Sequence, residues 1–385
     1  MAQISALIPV FNGAKTVRTA IASIQGQSLT DTEIVIVDDG STDETPLILK
    51  DIAAEDRRVL VLTKANSGIV DALNLGLAAC TGEYVARHDA DDIAYSHRFA
   101  TQLRYLQDND DCVAVSNAAR HIDGEGNPTG FVATYPPACE CNPLWLPSVE
   151  PYLLHPFLMV RRAALMAARG YRNAFNAQDT DLYWRLRELG RLHNLSEVLG
   201  EYRIHAVSIS GKSIENGRIS ALNAQLAAIS AVRRSAGIPD IEFPADHLAR
   251  YKRERTIGRM VKIWEPSLSK DELDYLRLSS LAKLLELTTH RPYELALADC
   301  LEMRQALRSP PSFITPYNWK WLNGLVANAG GRLLLKGQLD KARALLPPQL
   351  YHAAAIRFLF RKFANRALRR TIKRLIGRKA APSDY

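Results

Sequence analysis

Glu83-Tyr84-Val85-Ala86-Arg87-His88-Asp89-Ala90-Asp91-Asp92 begins as a short apolar strand and runs without a break into a knot of carboxylates. Two earlier segments have the same form. Ile4 to Val10 reads as a buried strand that stops at Phe11-Asn12, and Glu33 to Val37 stops at Asp38-Asp39-Gly40. Between them Val17, Ala20, Ile21 and Ile24 recur at the offsets of one helix face, giving a β-α-β unit. Ser41 followed by Glu44 has capping-box spacing, so a second helix is expected immediately after the Asp38-Asp39-Gly40 turn. Arg58 to Leu62 gives the next strand, and Ile69, Ala72, Leu73, Gly76 and Leu77 mark a third helix ahead of the acidic run. Strands alternating with crossover helices define an α/β fold with a mostly parallel central sheet, whose ligands sit outside the carboxyl ends of the strands. Phe11, Asn12, Asp38, Asp39 and Asp89 to Asp92 are therefore expected to converge.

Downstream, a helix and a strand are expected between Phe99 and Ser116, then a Pro-rich irregular stretch from Gly124 to Pro151. A strand near Phe157 to Arg161, a helix over Asp179 to Leu189 with Leu182, Leu186 and Leu189 inward, and an extended Glu201 to His205 follow. After about Ser208 long helical periodicities replace the strand-turn-acid pattern, so residues 1–208 read as a catalytic domain and 209–350 as a helical accessory region. In the tail, 351–385, Ile356, Phe360, Phe363, Leu368, Ile372 and Leu375 share one face while Arg357, Arg361, Arg369 and Lys373 occupy the rest. That composition suits a helix lying in a membrane interface, and equally a helix packed on the protein with a solvated basic face.

A chain of 385 residues, 47% apolar and 23% charged, is a folded protein of more than one domain. Its net charge is +8, but ten Lys and Arg residues and no acids lie between Tyr351 and Pro382, so the rest of the chain is slightly acidic. Basicity confined to a tail argues against a nucleic-acid partner and for a local anionic surface, such as the inner face of a cell membrane. Five cysteines without paired spacing fit a reducing compartment. No N-terminal leader pattern precedes Ile4, and no apolar run reaches the ~18–20 residues of a membrane helix, so a cytoplasmic location is expected. Gly124-Glu125-Gly126 lacks the third glycine of a dinucleotide loop and reads as a turn. Neither a phosphate-binding G-x-x-x-x-G-K-S/T loop nor a G-x-S-x-G elbow is present, which disfavours redox, kinase-type and esterase chemistry.

A carboxylate cluster between a strand and a helix can hold Mg²⁺ or Mn²⁺ while the metal bridges substrate phosphates. Asp108-Asn109-Asp110-Asp111, which follows a helix, reads as a surface loop. The ordered set Ile8-Pro9-Val10-Phe11-Asn12-Gly13, Val37-Asp38-Asp39-Gly40-Ser41-Thr42-Asp43, Asn66-Ser67-Gly68, Ala72-Leu73-Asn74-x-Gly76, Gly82-Glu83-Tyr84-Val85 and Arg87-x-Asp89-Ala90-Asp91-Asp92 resembles glycosyltransferase family 2, the inverting transferases of GT-A fold. With Tyr202-Arg203-Ile204-His205 the resemblance covers a little over half the chain. It implies a nucleotide-sugar site that includes Pro9, Phe11, Asn12, Asp39, Asn66, Gly68, Arg87 and Asp89, with Phe11 stacking near the donor base and Asp39 accepting a hydrogen bond from it. It further implies that Asp91 ligates a divalent metal, that His205 completes the metal site or touches the diphosphate, and that His155 lies near the acceptor.

Gln178-Asp179-Thr180-Asp181 falls where the family usually shows Glu-Asp, whose Asp is the general base. By that alignment Asp179 takes the acceptor's proton, and helical spacing turns Asp181 about 200° away. Both acids could also be helix N-terminal charges that complement the dipole. The reading is thus a metal-dependent, inverting glycosyltransferase acting on a nucleoside-diphosphate sugar, expected to be UDP-linked, and on a glycan or lipid-linked acceptor in surface-polysaccharide assembly. A nucleotidyltransferase and an inactive relative that only binds glycans are the rivals; Gln178 is the feature that favours the second.

Overall fold

The computed structural model describes residues 2–204, 213–308, 311 and 314–363. The chain forms two compact units, Met1–Arg253 and Glu254–Tyr385. In the first, β1 (Ile4–Val10) is buried at every position, α1 (Val17–Gln25) buries Val17, Ala20, Ile21 and Ile24, and β2 (Thr32–Asp38) pairs in parallel with β1. α2 (Thr45–Glu55) leads to β3 (Val59–Thr63), and α3 (Ile69–Ala79) to β4 (Tyr84–Arg87). Ser41 does not cap α2: its Oγ accepts the Asn12 N–H at 2.8 Å, and the helix starts at Thr45 without a side-chain cap. On α3 the inward residue at the first turn is Val70, while Ile69 is 37% exposed.

β5 (Ile93–Ala94) and α4 (Arg98–Asp108) precede β6 (Cys112–Ile122), which turns back through Asp123–Gly126 into β7 (Pro128–Ala133). The stretch expected to be irregular thus contributes a hairpin arm. β8 (Met159–Arg161), α5 (Arg162–Ala167), α6 (Gln178–Arg187) and β9 (Arg191–Arg203) complete a sheet of order β3-β2-β1-β4-β8-β6-β9-β5, with β7 beside β6. β1 to β4 are mutually parallel, as are β6 and β9; β5, β7 and β8 are antiparallel to their neighbours. The chain steps outward from β1 to β3 and then returns to β4 on the other side of β1. That reversal opens a crevice at the carboxyl ends of β1 and β4.

Leu182 and Leu186 are fully buried on α6, but Leu189 is 46% exposed because the helix ends at Arg187 and Leu189 lies in the turn beyond it. α7 (Ile214–Ser235) packs against α6 and buries most of its length. This packing joins α7 and α8 (His247–Arg253) to the sheet unit, which therefore extends past residue 208 to Arg253.

The second unit is helical in its described residues: α9 (Ile257–Lys262), α10 (Lys270–Leu287), α11 (Leu297–Arg308), α12 (Pro316–Leu335), α13 (Leu339–Leu345) and α14 (Tyr351–Phe363). Ser269 and Glu272 form a reciprocal capping box that starts α10. α14 packs against α12, with Ala354 fully buried and Ile356 66% exposed, about 200° further round the helix. The tail from 364 onward, with Leu368, Ile372 and Leu375, lies outside the described residues. No described helix is long and apolar enough to cross a membrane.

Candidate active site

Parallel pairing of β1, β2 and β4 brings their following loops to one edge of the sheet. After β2, Asp39 is nearly buried, and its carboxylate accepts from Ser67 N (3.1 Å), Gly68 N (2.9 Å) and Lys64 Nζ, so it organises the loop after β3. Gly40 is obligatory there: its φ is +74°, and a Cβ would lie 2.8 Å from Asn66 N. Asn12, at φ +52°, accepts the Thr42 N–H on its Oδ1 at 2.8 Å, which laces the β1 loop to the β2 loop. Phe11 is 51% exposed beside them. Asn66 is exposed and Gly68 lies at Asp39, whereas Pro9 is buried within β1 opposite Val37, away from the loop.

The β4 loop adjoins the same edge, since a Cβ on Gly13 would sit 3.9 Å from Ala90 Cβ. Arg87, almost buried, pairs with Asp89 at 2.5 Å. Behind the loop His88 is completely buried, and its Nδ1 lies 3.2 Å from the Arg98 guanidinium, a donor only. The proton therefore resides on Nε2 and is donated to the Asp92 carbonyl at 3.2 Å. Arg98 also donates to the Arg87 carbonyl at 2.7 Å, and burial pushes its guanidinium down to about 9 although Asp92 opposes this. From β9, Arg203 closes the loop: its N–H donates to Asp92 Oδ1 and its Nε to the Asp91 carbonyl, both at 2.8 Å.

The third wall is the start of α6. Burial pushes the Asp179 carboxyl above the ordinary carboxylate range, Glu150 adds to the push, and the Thr180 N–H and Arg87 oppose it. Arg87 thus pairs with Asp89, and its charge also reaches Asp179. Tyr171 is within electrostatic reach of both acids; its hydroxyl meets His155 Nε2 at 3.0 Å, and its proton is held chiefly by burial. Asp181 points the other way, fully buried in ion pairs with Arg172 and Arg185. Both α6 acids stand in the first turn, but their surroundings divide them into one on the cleft and one in the interior.

The strand ends bring Phe11, Asn12, Asp39, Asn66 and Gly68 to the edge where Arg87, Asp89 and Asp91 stand, and the charge of Arg87 reaches Asp179. His205 lies outside the described residues. Arg203, two positions before it, supplies contacts that motif reading passed over, as do His88, Arg98 and Glu150.

Asp89, Asp91 and Asp92 fit a divalent cation: one oxygen from each lies within 4.8 Å of the others. Asp92 Oδ2 is buried with no hydrogen-bond partner. Burial pushes Asp89 and Asp92 up; Asp91 adds to both and Asp89 to Asp92, against the pull of Arg87 on both and of the Arg203 N–H on Asp92. An oxygen-only donor set suits Mg²⁺ or Mn²⁺.

The glycosyl transferase family 2 profile matches residues 5–167. The O-antigen biosynthesis glycosyltransferase WbnJ of Escherichia coli is 33% identical over 208 residues, spanning 52% of this chain and 80% of that protein. Putative glycosyltransferase EpsE of Bacillus subtilis is 30% identical over 207 residues, 52% and 73% of the two chains. An uncharacterized glycosyltransferase of Haemophilus influenzae is 30% identical over 219 residues, 52% of this chain and 65% of its own length. Among solved structures, mannosyltransferase PcManGT of Pyrobaculum calidifontis, in complex with GDP-Man and Mn²⁺, aligns with a TM-score of 0.49 at 18% identity, covering 94% of this chain and 88% of that one. The class is that of the glycosyltransferases. Within it, this chain belongs to glycosyl transferase family 2.

Proposed function

We propose that this protein transfers a sugar, carried on a nucleoside diphosphate of the UDP type, to a hydroxyl of a glycan or lipid-linked acceptor, with inversion at the anomeric carbon. The observation that carries the reading is the Asp89-Asp91-Asp92 cluster beside Arg87, whose charge also acts on Asp179. Asp91, with Asp89 and Asp92, would hold Mn²⁺ or Mg²⁺, which when bound supplies Lewis-acid neutralisation of a diphosphate leaving group. Phe11 offers a ring for the base, and the Asp39–Gly68 loop shapes the pocket beside it. Asp179 receives the proton from the acceptor hydroxyl as its oxygen attacks C1 and the C1–diphosphate bond breaks. A single base on the attacking side requires no covalent intermediate, so the configuration inverts. The setting, cell-surface polysaccharide assembly, rests on relatives such as the O-antigen enzyme.

A thermal-shift panel of nucleoside diphosphates and sugar nucleotides, with and without Mn²⁺, tests this. A UDP-type ligand should raise the midpoint only when metal is present, and Asp91→Ala should abolish the rise while leaving the ligand-free midpoint near wild type. Stabilisation independent of metal would remove the metal role. Donor hydrolysis measured in the same conditions distinguishes an active enzyme from a protein that only binds.

A further inference from the structure

Position 178 is glutamine, so α6 does not itself provide a second carboxylate beside the residue read above as the base. The fold brings one from elsewhere. Glu150 stands in the loop between an isolated bridge, Asn142 to Val149, and the turn at His155–Phe157. Its Oε2 accepts the Thr180 hydroxyl at 3.2 Å, and Thr180 is the residue after Asp179 and is itself buried. Thr180 N–H in turn donates to Asp179 Oδ1 at 2.9 Å. Glu150, Thr180 and Asp179 are therefore joined by consecutive contacts, although 28 residues separate Glu150 from Gln178.

We propose that Glu150 is a positioning residue for the base: it anchors the first turn of α6 through Thr180 and sets beside Asp179 the second carboxylate that position 178 lacks. The proposal rests on Asp179 being the base. Among the described residues, the other groups within electrostatic reach of Asp179 include Arg87 from β4, Tyr152 from the Glu150 loop, Tyr171 ahead of α6, and Tyr183 one turn along it. The phenols remain protonated, shielded by burial, and His155 against Tyr171 and Tyr183 stays neutral for the same reason. Arg87 is the one cation of the set and favours the ionised base, so Glu150 is the anion that counters it. A second negative charge near Asp179 makes that carboxyl harder to ionise, which keeps the base's proton affinity high enough to take a proton from a hydroxyl.

The titration arm of the test needs no donor, and the turnover arm uses UDP sugars. In full-length protein carrying [¹³C-carboxyl]aspartate, the Asp179 signal is identified by its absence in Asp179→Asn and titrated. In Glu150→Gln, which keeps an acceptor for Thr180 but loses the charge, Asp179 should titrate at lower pH than in wild type. Thr180→Val, which keeps both charges and breaks the anchor, should leave the titration in place and lower the rate of UDP-GlcNAc, UDP-glucose or UDP-galactose hydrolysis, whichever donor turns over, by about tenfold. An Asp179 titration that does not move in Glu150→Gln overturns the proposal, and so does a Thr180→Val enzyme with wild-type turnover. If Asp179→Asn itself retains activity, the base assignment fails instead, and the two failures are told apart.

Discussion

At Asp179 a single carboxyl has to be shielded from water and ionised at once. Burial raises its pKa, with Glu150 adding to the effect. A carboxyl displaced upward in the folded protein makes its stabilising contribution only while protonated. Below the ordinary value for aspartate it costs the fold nothing, and as the pH rises through the raised folded value that advantage disappears. Asp179→Asn should therefore lower turnover by about 10²–10⁴-fold and, at neutral pH, raise the thermal midpoint, by ~2–4 °C for each ~1 kcal/mol relieved. Calorimetry beside an initial-rate assay checks both, and a lower midpoint would contradict the burial argument. The same displacement predicts that kcat/KM falls on the acid side at a pH above that of an exposed carboxylate. Asp39 and Asp91 stand at strand ends, where local spacing makes acids visible, whereas Asp179 and the role of each acid came from the resemblance to the family. Glu150, Arg98 and Arg203 were not legible, because their significance lies in contacts with residues 30, 10 and 111 positions away.

Among elements, α6 is held by an ion-pair network that reaches α7. Asp181 is bound by Arg172 and Arg185; Arg172 also pairs with Asp240 at 2.7 Å, and Arg234 joins Asp240 to Glu188. Removing one partner from a buried pair leaves the other uncompensated, so Asp181→Asn should cost about 3–5 kcal/mol, read as a lower urea midpoint. A variant within about 0.5 kcal/mol of wild type would show the network to be dispensable. β1, β2 and α1 were legible because continuous apolar runs and a 3.6-residue period leave little choice. β7 and the length of β9 were not. β7 is exposed at five of its six positions, and β9 is half-exposed without a two-residue alternation, so neither displays a strand's burial pattern. The helix face at Leu189 was misjudged for a different reason: periodicity continues past the residue where the backbone turns.

At the scale of the molecule, the change from strands to helices marks a change of secondary structure and not the edge of a folding unit. α7 belongs by its packing with the sheet, which no periodicity could reveal. The basic tail is the other large-scale feature, and we expect it to bring the enzyme to anionic lipid. On vesicles containing phosphatidylglycerol, full-length protein should co-sediment at low salt and be released as the ionic strength rises, whereas protein ending near Leu350 should stay in solution. Equal recovery of both in the supernatant would exclude the role. The return of the chain from β3 across β1 to β4 has a consequence for how the protein is made. No contiguous fragment short of Asp89 contains both sides of the crevice, and Asp179 arrives some ninety residues later still. During synthesis the proposed nucleotide site thus cannot form before Asp89 has emerged and β4 has docked, and the proposed base joins it only later, so a sugar nucleotide would report on assembly of these strands and could not template the first of them.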